Sequence, residues 1–314
     1  MAALGNAVNI VLVMAMLIAL GCFLGWWLKL NDSQYKLTAQ LAIYVGLPCM
    51  ILSHMQKNFS WEWLSQSWYY LGVVFLNIVI CFILAHVAAR LLKLSPSRRG
   101  LFCMMCVLTN SLMFGAPVNI GIFGEAAMSY VMLFYMVNTS VFWSYGCYLI
   151  RHSAGKMDKL LSKDTAKHIF TAPPFVAFLV AMLLAALNIT LPRPVNDAVT
   201  MLGNTCTPIG MIYIGMTLYR TGRKILIDRG MVVMCLFRIA IAPLLIHTIL
   251  LLVKPDIMPK TVLMLESAMP VLTQASVVAG LEGADAGYVA QGTVITMILA
   301  LTITPVITLV APLL

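Results

Sequence analysis

Two stretches of this 314-residue chain set polar side chains and a proline inside otherwise apolar runs, Leu108 to Val118 (LTNSLMFGAPV) and Glu266 to Ser276 (ESAMPVLTQAS). Asn110, Ser111, Gly115 and Pro117 crowd the first, with Asn119 just beyond it, and Pro270, Thr273, Gln274 and Ser276 the second. Amides and hydroxyls of this kind donate hydrogen bonds to an anion's oxygens. A proline frees a carbonyl and bends its helix, which hydrocarbon tolerates only where protein or a wet cavity satisfies the backbone. Together the two stretches predict a transport site near mid-membrane, with the helix N-termini beyond each break presenting positive ends to a bound anion. Either alone reads equally well as a proline kink packed against its neighbours.

Two charges belong to the same region. Glu266 is the only acidic residue well within a predicted span, the other ten Asp and Glu lying at loops or helix ends. An ionised carboxylate there costs roughly 2.5 to 3.5 kcal/mol on insertion scales, so it must be protonated, paired or turned to a wet cavity. That makes Glu266 a candidate ion-coupling group, for H+ or Na+, against the plainer reading of a neutral Glu tied to neighbouring helices. Arg238 keeps its charge and must meet a carboxylate, carbonyls or an anionic ligand, or reach for the interface; it joins the substrate-binding candidates. His86 and His247 stand alone on apolar helices and read as packed polar groups. Cys103 and Cys106 form a CxxC with no second pair, a weak metal signal. No nucleophile with a base, no acidic metal cluster and no GxxxxGK[ST] is evident, so the chain is expected to be neither an enzyme nor its own ATPase, and to need no cofactor or metal.

These residues need elements to hold them, and composition says what kind. At 61% hydrophobic, 10% charged and mean hydropathy +0.95, the apolar stretches cannot all fold into a soluble core. Windows of about 20 apolar residues predict helices over Val8–Leu28, Leu37–Met55, Ser67–Leu92, Gly100–Phe123, Ala126–Ile150, Phe170–Asn188, Val195–Tyr219, Met231–Val253, Thr261–Leu281 and Gly287–Pro312. The first run has no basic leader and is long enough to span, so it is expected to remain as a helix. With the N-terminus outside, 15 of the 20 Lys and Arg fall on inner segments, among them Arg90, Lys93, Arg98, Arg99, Arg151 and Arg220, and four on outer ones. This bias places both termini outside a cytoplasmic membrane, and turns the +9 charge into a topology signal rather than a sign of nucleic-acid binding. Trp61, Trp63 and Trp68 suit an interfacial belt. The eight cysteines lie in or beside spans and read as buried thiols.

The polar segment Arg151 to His168 divides the chain into five helices and five, residues 1–150 and 169–314. An odd number per half inverts the second half in the membrane. Sequence echoes agree: Pro48 and Pro208 fall in each half's second helix, Pro117 and Pro270 in each half's fourth, and FGEAAMSYV from Phe123 resembles LEGADAGYV from Leu281. The expected fold is an all-α polytopic membrane protein of ten transmembrane helices, two inverted five-helix repeats with broken crossover helices 4 and 9.

NSLMFGAPVNIGIFGE from Asn110 to Glu125, MVNTSVFWSYG from Met136 to Gly146 and ESAMPVLTQASVVAGLEG from Glu266 to Gly283 resemble the fourth, fifth and ninth helices of the auxin efflux carrier family, which includes bacterial malonate and malate permeases. The resemblance implies a scaffold from the first two helices of each repeat and a transport part where the broken helices cross. Family crossover positions fall on Asn110, Ser111, Pro117 and Pro270. Leu112 replaces a usual glycine, and Gln274 an expected asparagine. The implied function is secondary transport of a small organic anion, a malonate- or malate-like dicarboxylate, by elevator-type alternating access and symport in a bacterial inner membrane, with the bilayer and a homodimer partner as surroundings. A membrane sensor using the same cavity without flux is the alternative; its output domain would have to fit in Arg151–His168.

Overall fold

The computed structural model describes residues 2–58, 65, 67–156, 171, 173–187, 189–221 and 228–313. Its first half comprises α1 (Ala2–Leu28), α2 (Asp32–Leu41), α3 (Leu47–Asn58), α4 (Tyr69–Leu91), α5 (Pro96–Val107), α6 (Ala116–Phe123), α7 (Met128–Val141) and α8 (Cys147–Ser153). The second half continues with α9 (Pro173–Ala186), α10 (Arg193–Asn204), α11 (Cys206–Thr221), α12 (Arg229–Leu236), α13 (Ala242–Leu250), α14 (Ile257–Ala268), α15 (Thr273–Glu282) and α16 (Ala286–Val310). No strand forms among the described residues; two helical interruptions meet in a single isolated bridge.

Several short helices join through wide π turns, and proline explains most of them. The turns at Ala42–Gly46, Ser111–Gly115 and Phe237–Ile241 run directly into helices whose second residue is Pro48, Pro117 or Pro243. Each proline lacks the N–H that its turn requires, and the residue before it bonds five positions back, as Leu47 does to Ala42, Ala116 to Ser111 and Ala242 to Phe237. Bent but unbroken, the helical stretches Asp32–Lys57, Tyr69–Leu91, Glu125–Ser153, Arg229–Leu250 and Ala286–Val310 are long and apolar enough to cross a membrane, with shorter apolar helices at Leu12–Leu28, Ser111–Phe123 and Pro173–Ala186. Large apolar side chains such as Met16, Trp27, Phe75, Leu183 and Leu309 point outward, while a continuous core fills the interior. The chain is an all-helical polytopic membrane protein.

The expected windows find helices at the expected places, with two corrections. The fourth window is interrupted at Leu108–Asn110, seven residues or more before Pro117, and the ninth at Met269–Leu272. Pro117 therefore lies inside the helical stretch that resumes after the break, Ser111–Phe123, where the π turn accommodates it, while Pro270 lies in the interruption itself. Most of the connector expected at Arg151–His168, together with Trp61, Trp63 and Lys159, lies outside the described residues.

Most of the ion pairs gather at one end. Arg98 reaches Asp228 at 3.3 Å and Asp285 at 3.7 Å, Arg151 and Lys156 share Glu282 at 2.9 and 3.2 Å, and Arg220 pairs with Asp32 at 2.5 Å. These residues lie at the turns after α1, α4, α8, α11 and α15, so the turns expected to carry the inner charges share one end. The opposite end carries one exposed pair, Arg193 with Asp197 at 3.9 Å within α10, and is tied between helices by neutral bonds: the Gln56 amide donates to the Ile189 carbonyl at 3.0 Å, and the Ser53 and Thr200 hydroxyls stand 3.0 Å apart.

The most extensive helix pair is α1 on α11, and small residues let it close. A Cβ on Gly21 would stand 2.1 Å from the Ile212 carbonyl oxygen, and one on Gly215 would stand 2.0 Å from that of Ile18. Without a hydrophobic drive between helices in lipid, such backbone approach supplies the packing. Gly215→Val is expected to destabilise the detergent-solubilised protein by about 1–3 kcal/mol, read as a lower melting temperature, while Gly72→Ala, whose Cβ would meet nothing within 4 Å, leaves it unchanged.

Candidate functional site

The two interruptions close on each other. Thr109 and Val271 pair as an antiparallel bridge, and the Asn110 N–H donates to the Pro270 carbonyl at 2.8 Å. Pro270, with no N–H of its own, can only accept here. Each break is also held by a neighbouring helix. The Asn138 amide on α7 brackets Thr109, its Oδ1 accepting the Thr109 N–H at 3.1 Å and its Nδ2 donating to the Thr109 carbonyl at 2.9 Å. On α16 the Thr296 hydroxyl accepts the Val271 N–H at 3.0 Å and donates to its own helix. Backbone groups that hydrocarbon could not satisfy are thus matched within the protein.

Arg238, at 1% exposure, stands behind the first break. Its Nη1 donates to the Val107 carbonyl at 3.2 Å, and its Nη2 to the Met105 carbonyl at 2.5 Å and to the Leu108 carbonyl. These are carbonyls at the C-terminal end of α5, where an α-helix leaves acceptors without partners and carries partial negative charge. Arg238 was counted among substrate contacts from sequence; the structure engages its guanidinium with the backbone, outside the cavity described below.

Glu266 lies at 0% exposure near the end of α14, across from the π turn at Ser111–Gly115. Ser111 Oγ donates to its Oε2 at 2.5 Å and Asn119 Nδ2 to its Oε1 at 2.7 Å, while the same Nδ2 donates to the Gly115 carbonyl at 3.0 Å. Gly115 permits the approach: a Cβ there would stand 2.3 Å from Glu266 Oε1. Asn119 Oδ1 is buried with no partner. Among the described residues no ion pair joins Glu266 or Arg238 to any opposite charge within 4 Å.

Beside the bridge is a small, nearly closed cavity. Asn110, Ser111 and Gln274 give it polar groups from both interrupted helices, Tyr135 and Thr139 line it from α7, and Leu47, Leu112, Phe142, Trp143 and Leu272 complete its wall. Its free volume is about 10 Å³, room for about one water molecule, so this conformation is closed around the site. Asn110 Nδ2 donates to Thr273 Oγ1 at 2.7 Å, linking the starts of the two second halves, and Gln274 Oε1 is buried without a partner. Of the sequence candidates, Asn110, Ser111, Gln274 and, through Asn110, Thr273 converge here. Asn119 and Gly115 serve Glu266 instead, and Ser276 Oγ turns away to donate to the Ala286 carbonyl at 3.2 Å. Asn138 and Thr296 were not singled out from sequence. The echo between the halves carries them: Tyr130 and Tyr288 in the matching segments are 158 residues apart, and so are Asn138 and Thr296.

Comparison with known proteins agrees with a membrane carrier. A family model described as "Membrane transport protein" matches residues 7–308. The chain is similar to an uncharacterized transporter of Methanocaldococcus jannaschii, 25% identical over 300 residues that cover 94% of this chain and 96% of the relative. The match to the family model spans nearly the whole chain, and the protein belongs to the auxin efflux carrier family of membrane transport proteins.

Proposed function

We propose that the chain is a secondary carrier of a small organic anion, with a carboxylate held at the cavity beside the Thr109–Val271 bridge. The observation that supports this most is the convergence of Asn110, Ser111 and Gln274, from two interrupted helices, on one buried cavity. Hydroxyl and amide donors together with the N-terminal end of α15 suit a carboxylate's oxygens. Malonate- and malate-like dicarboxylates are the first substrates to test. The lining also favours a second class, a monocarboxylate with an apolar body, because its wall carries Phe142 and Trp143 and no cationic side chain.

The architecture behind this reading is two inverted five-helix repeats, residues 1–150 and 169–314, whose fourth and ninth helices cross. The common 158-residue spacing of Asn138 and Thr296 supports it, as each clamps the break of its own half. The ion-paired end faces the cytoplasm of a bacterial inner membrane, with both termini outside, by the bias of positive charge. Alternating access moves the crossing bundle past the scaffold, elevator-fashion, and opens the cavity that is closed in this conformation. Glu266 couples the cycle to H+ or Na+, because its two donors, Ser111 and Asn119, belong to the helix that lines the site.

Uptake of labelled malonate, malate and an aromatic monocarboxylate into proteoliposomes, with and without a pH or Na+ gradient, tests the function. Uptake of none of them, with binding retained, would mark a sensor instead. Losing a hydrogen bond to a charged group costs about 1.5–3 kcal/mol, so Asn110→Ala and Gln274→Ala are expected to raise the half-saturating concentration about ten- to hundred-fold; unchanged uptake by both removes the site. Glu266→Gln keeps the side-chain shape and removes the titrating group. It is expected to abolish the gradient dependence of net uptake while leaving exchange of internal for external substrate; retained gradient dependence would reject the coupling role.

A further inference from the structure

Away from the crossing, an outward-facing groove of about 570 Å³ runs between α4 and the α7–α8 helix. One face of α4 forms its length, with Phe75, Ile78, Phe82, His86 and Arg90 at successive turns. At 1.5 Å per residue, Phe75 to Arg90 spans about 22 Å, longer than the roughly 15 Å hydrocarbon depth of one leaflet. The middle of the groove holds no carboxylate or ammonium, and His86 is hydrogen-bonded there. The Phe82 carbonyl, 2.8 Å from His86 Nδ1, can only accept, so Nδ1 carries a hydrogen, and the Tyr145 hydroxyl stands 3.2 Å from Nε2.

Charge enters at one end only. Arg90 has no acidic partner among the described residues, and no acidic side chain lines the groove. Among the described residues Lys93, just beyond it, likewise meets no acidic partner, and Arg99 bonds the Leu94 carbonyl and no carboxylate. An apolar channel as long as an acyl chain, ending in uncompensated cations at the ion-paired end, matches a molecule with an apolar tail and an anionic head. We infer that this groove is a binding site for an anionic phospholipid of that leaflet, its acyl chain along Phe75 to Phe82 and its phosphate on Arg90. A cation near the membrane surface strengthens binding of anionic lipid about five-fold.

The full chain in nanodiscs, examined by native mass spectrometry with phosphatidylglycerol and phosphatidylethanolamine of equal chain length, tests this. The parent is expected to retain phosphatidylglycerol about five-fold more tightly. Arg90→Ala is expected to erase that preference, Arg90→Lys to keep it, and Ser144→Trp, which fills the groove, to release the retained lipid. Equal retention of the two lipids by the parent overturns the assignment, as does an undiminished preference in Arg90→Ala. So does a Ser144→Trp protein that keeps its lipid but changes from dimer to monomer, which would show the groove to be the seat of a second copy.

Discussion

A backbone interrupted in the middle of a membrane must find all of its hydrogen bonds inside the protein, and the rest of this structure is arranged around that demand. Neither break could stand in hydrocarbon alone. Together they form a short antiparallel contact in which Asn110 donates to Pro270, while Asn138 and Thr296 take up neighbouring peptide groups. Apolar side chains can be exchanged for one another at modest cost, but a missing amide at such a place leaves a buried peptide group unpaired. Breaking both helices brings the N-terminal ends of their second halves, with Ser111 and Gln274, to a common buried cavity.

The two ionisable side chains buried near the contact between the breaks, Arg238 and Glu266, do different work, and they form no ion pair with each other. Arg238 closes the end of α5, replacing the next turn of helix with guanidinium hydrogen bonds to the Met105, Val107 and Leu108 carbonyls. A planar donor that stays charged can bridge several carbonyls at once, which a lysine ammonium on a flexible stem does less well. Glu266 fastens the other side, accepting from Ser111 and Asn119 through the gap left by Gly115. Ser111 both lines the cavity and bonds Glu266, so the state of the carboxyl and the shape of the site share one hydroxyl.

Much of the architecture was legible because membrane composition leaves few choices: apolar runs of spanning length fix the helices, and Lys and Arg mark one end, where the ion pairs of Arg98, Arg151 and Arg220 are found. The exact breaks were less legible. Pro117 drew attention to its own position, yet a π turn accommodates it within a continuous helix, and the chain opens at Leu108–Asn110, where no proline stands. The site was visible as polar residues in apolar runs, but their partners were not. Spacing cannot tell that Asn119 faces Glu266 while Asn110 faces Thr273, because which face of a helix meets which neighbour is decided by tertiary packing. Arg238 was noticed for its charge, and only the fold reveals that its ligands are carbonyls.

Because Asn110 and Pro270 form the hydrogen-bonded pair, Thr109 and Val271 form the close, non-hydrogen-bonded pair beside it, with Cα atoms about 4.5 Å apart, within reach of a disulfide. The most direct measurement replaces the eight native cysteines, introduces Thr109→Cys with Val271→Cys, and follows cross-linking in membranes under mild oxidant. A crossing of the two interrupted helices predicts rapid, near-complete formation of the bond, and little with Thr109→Cys paired to Val306→Cys on the outer surface of α16. Free thiols that react separately with a membrane-permeant reagent, and never with each other, would contradict it.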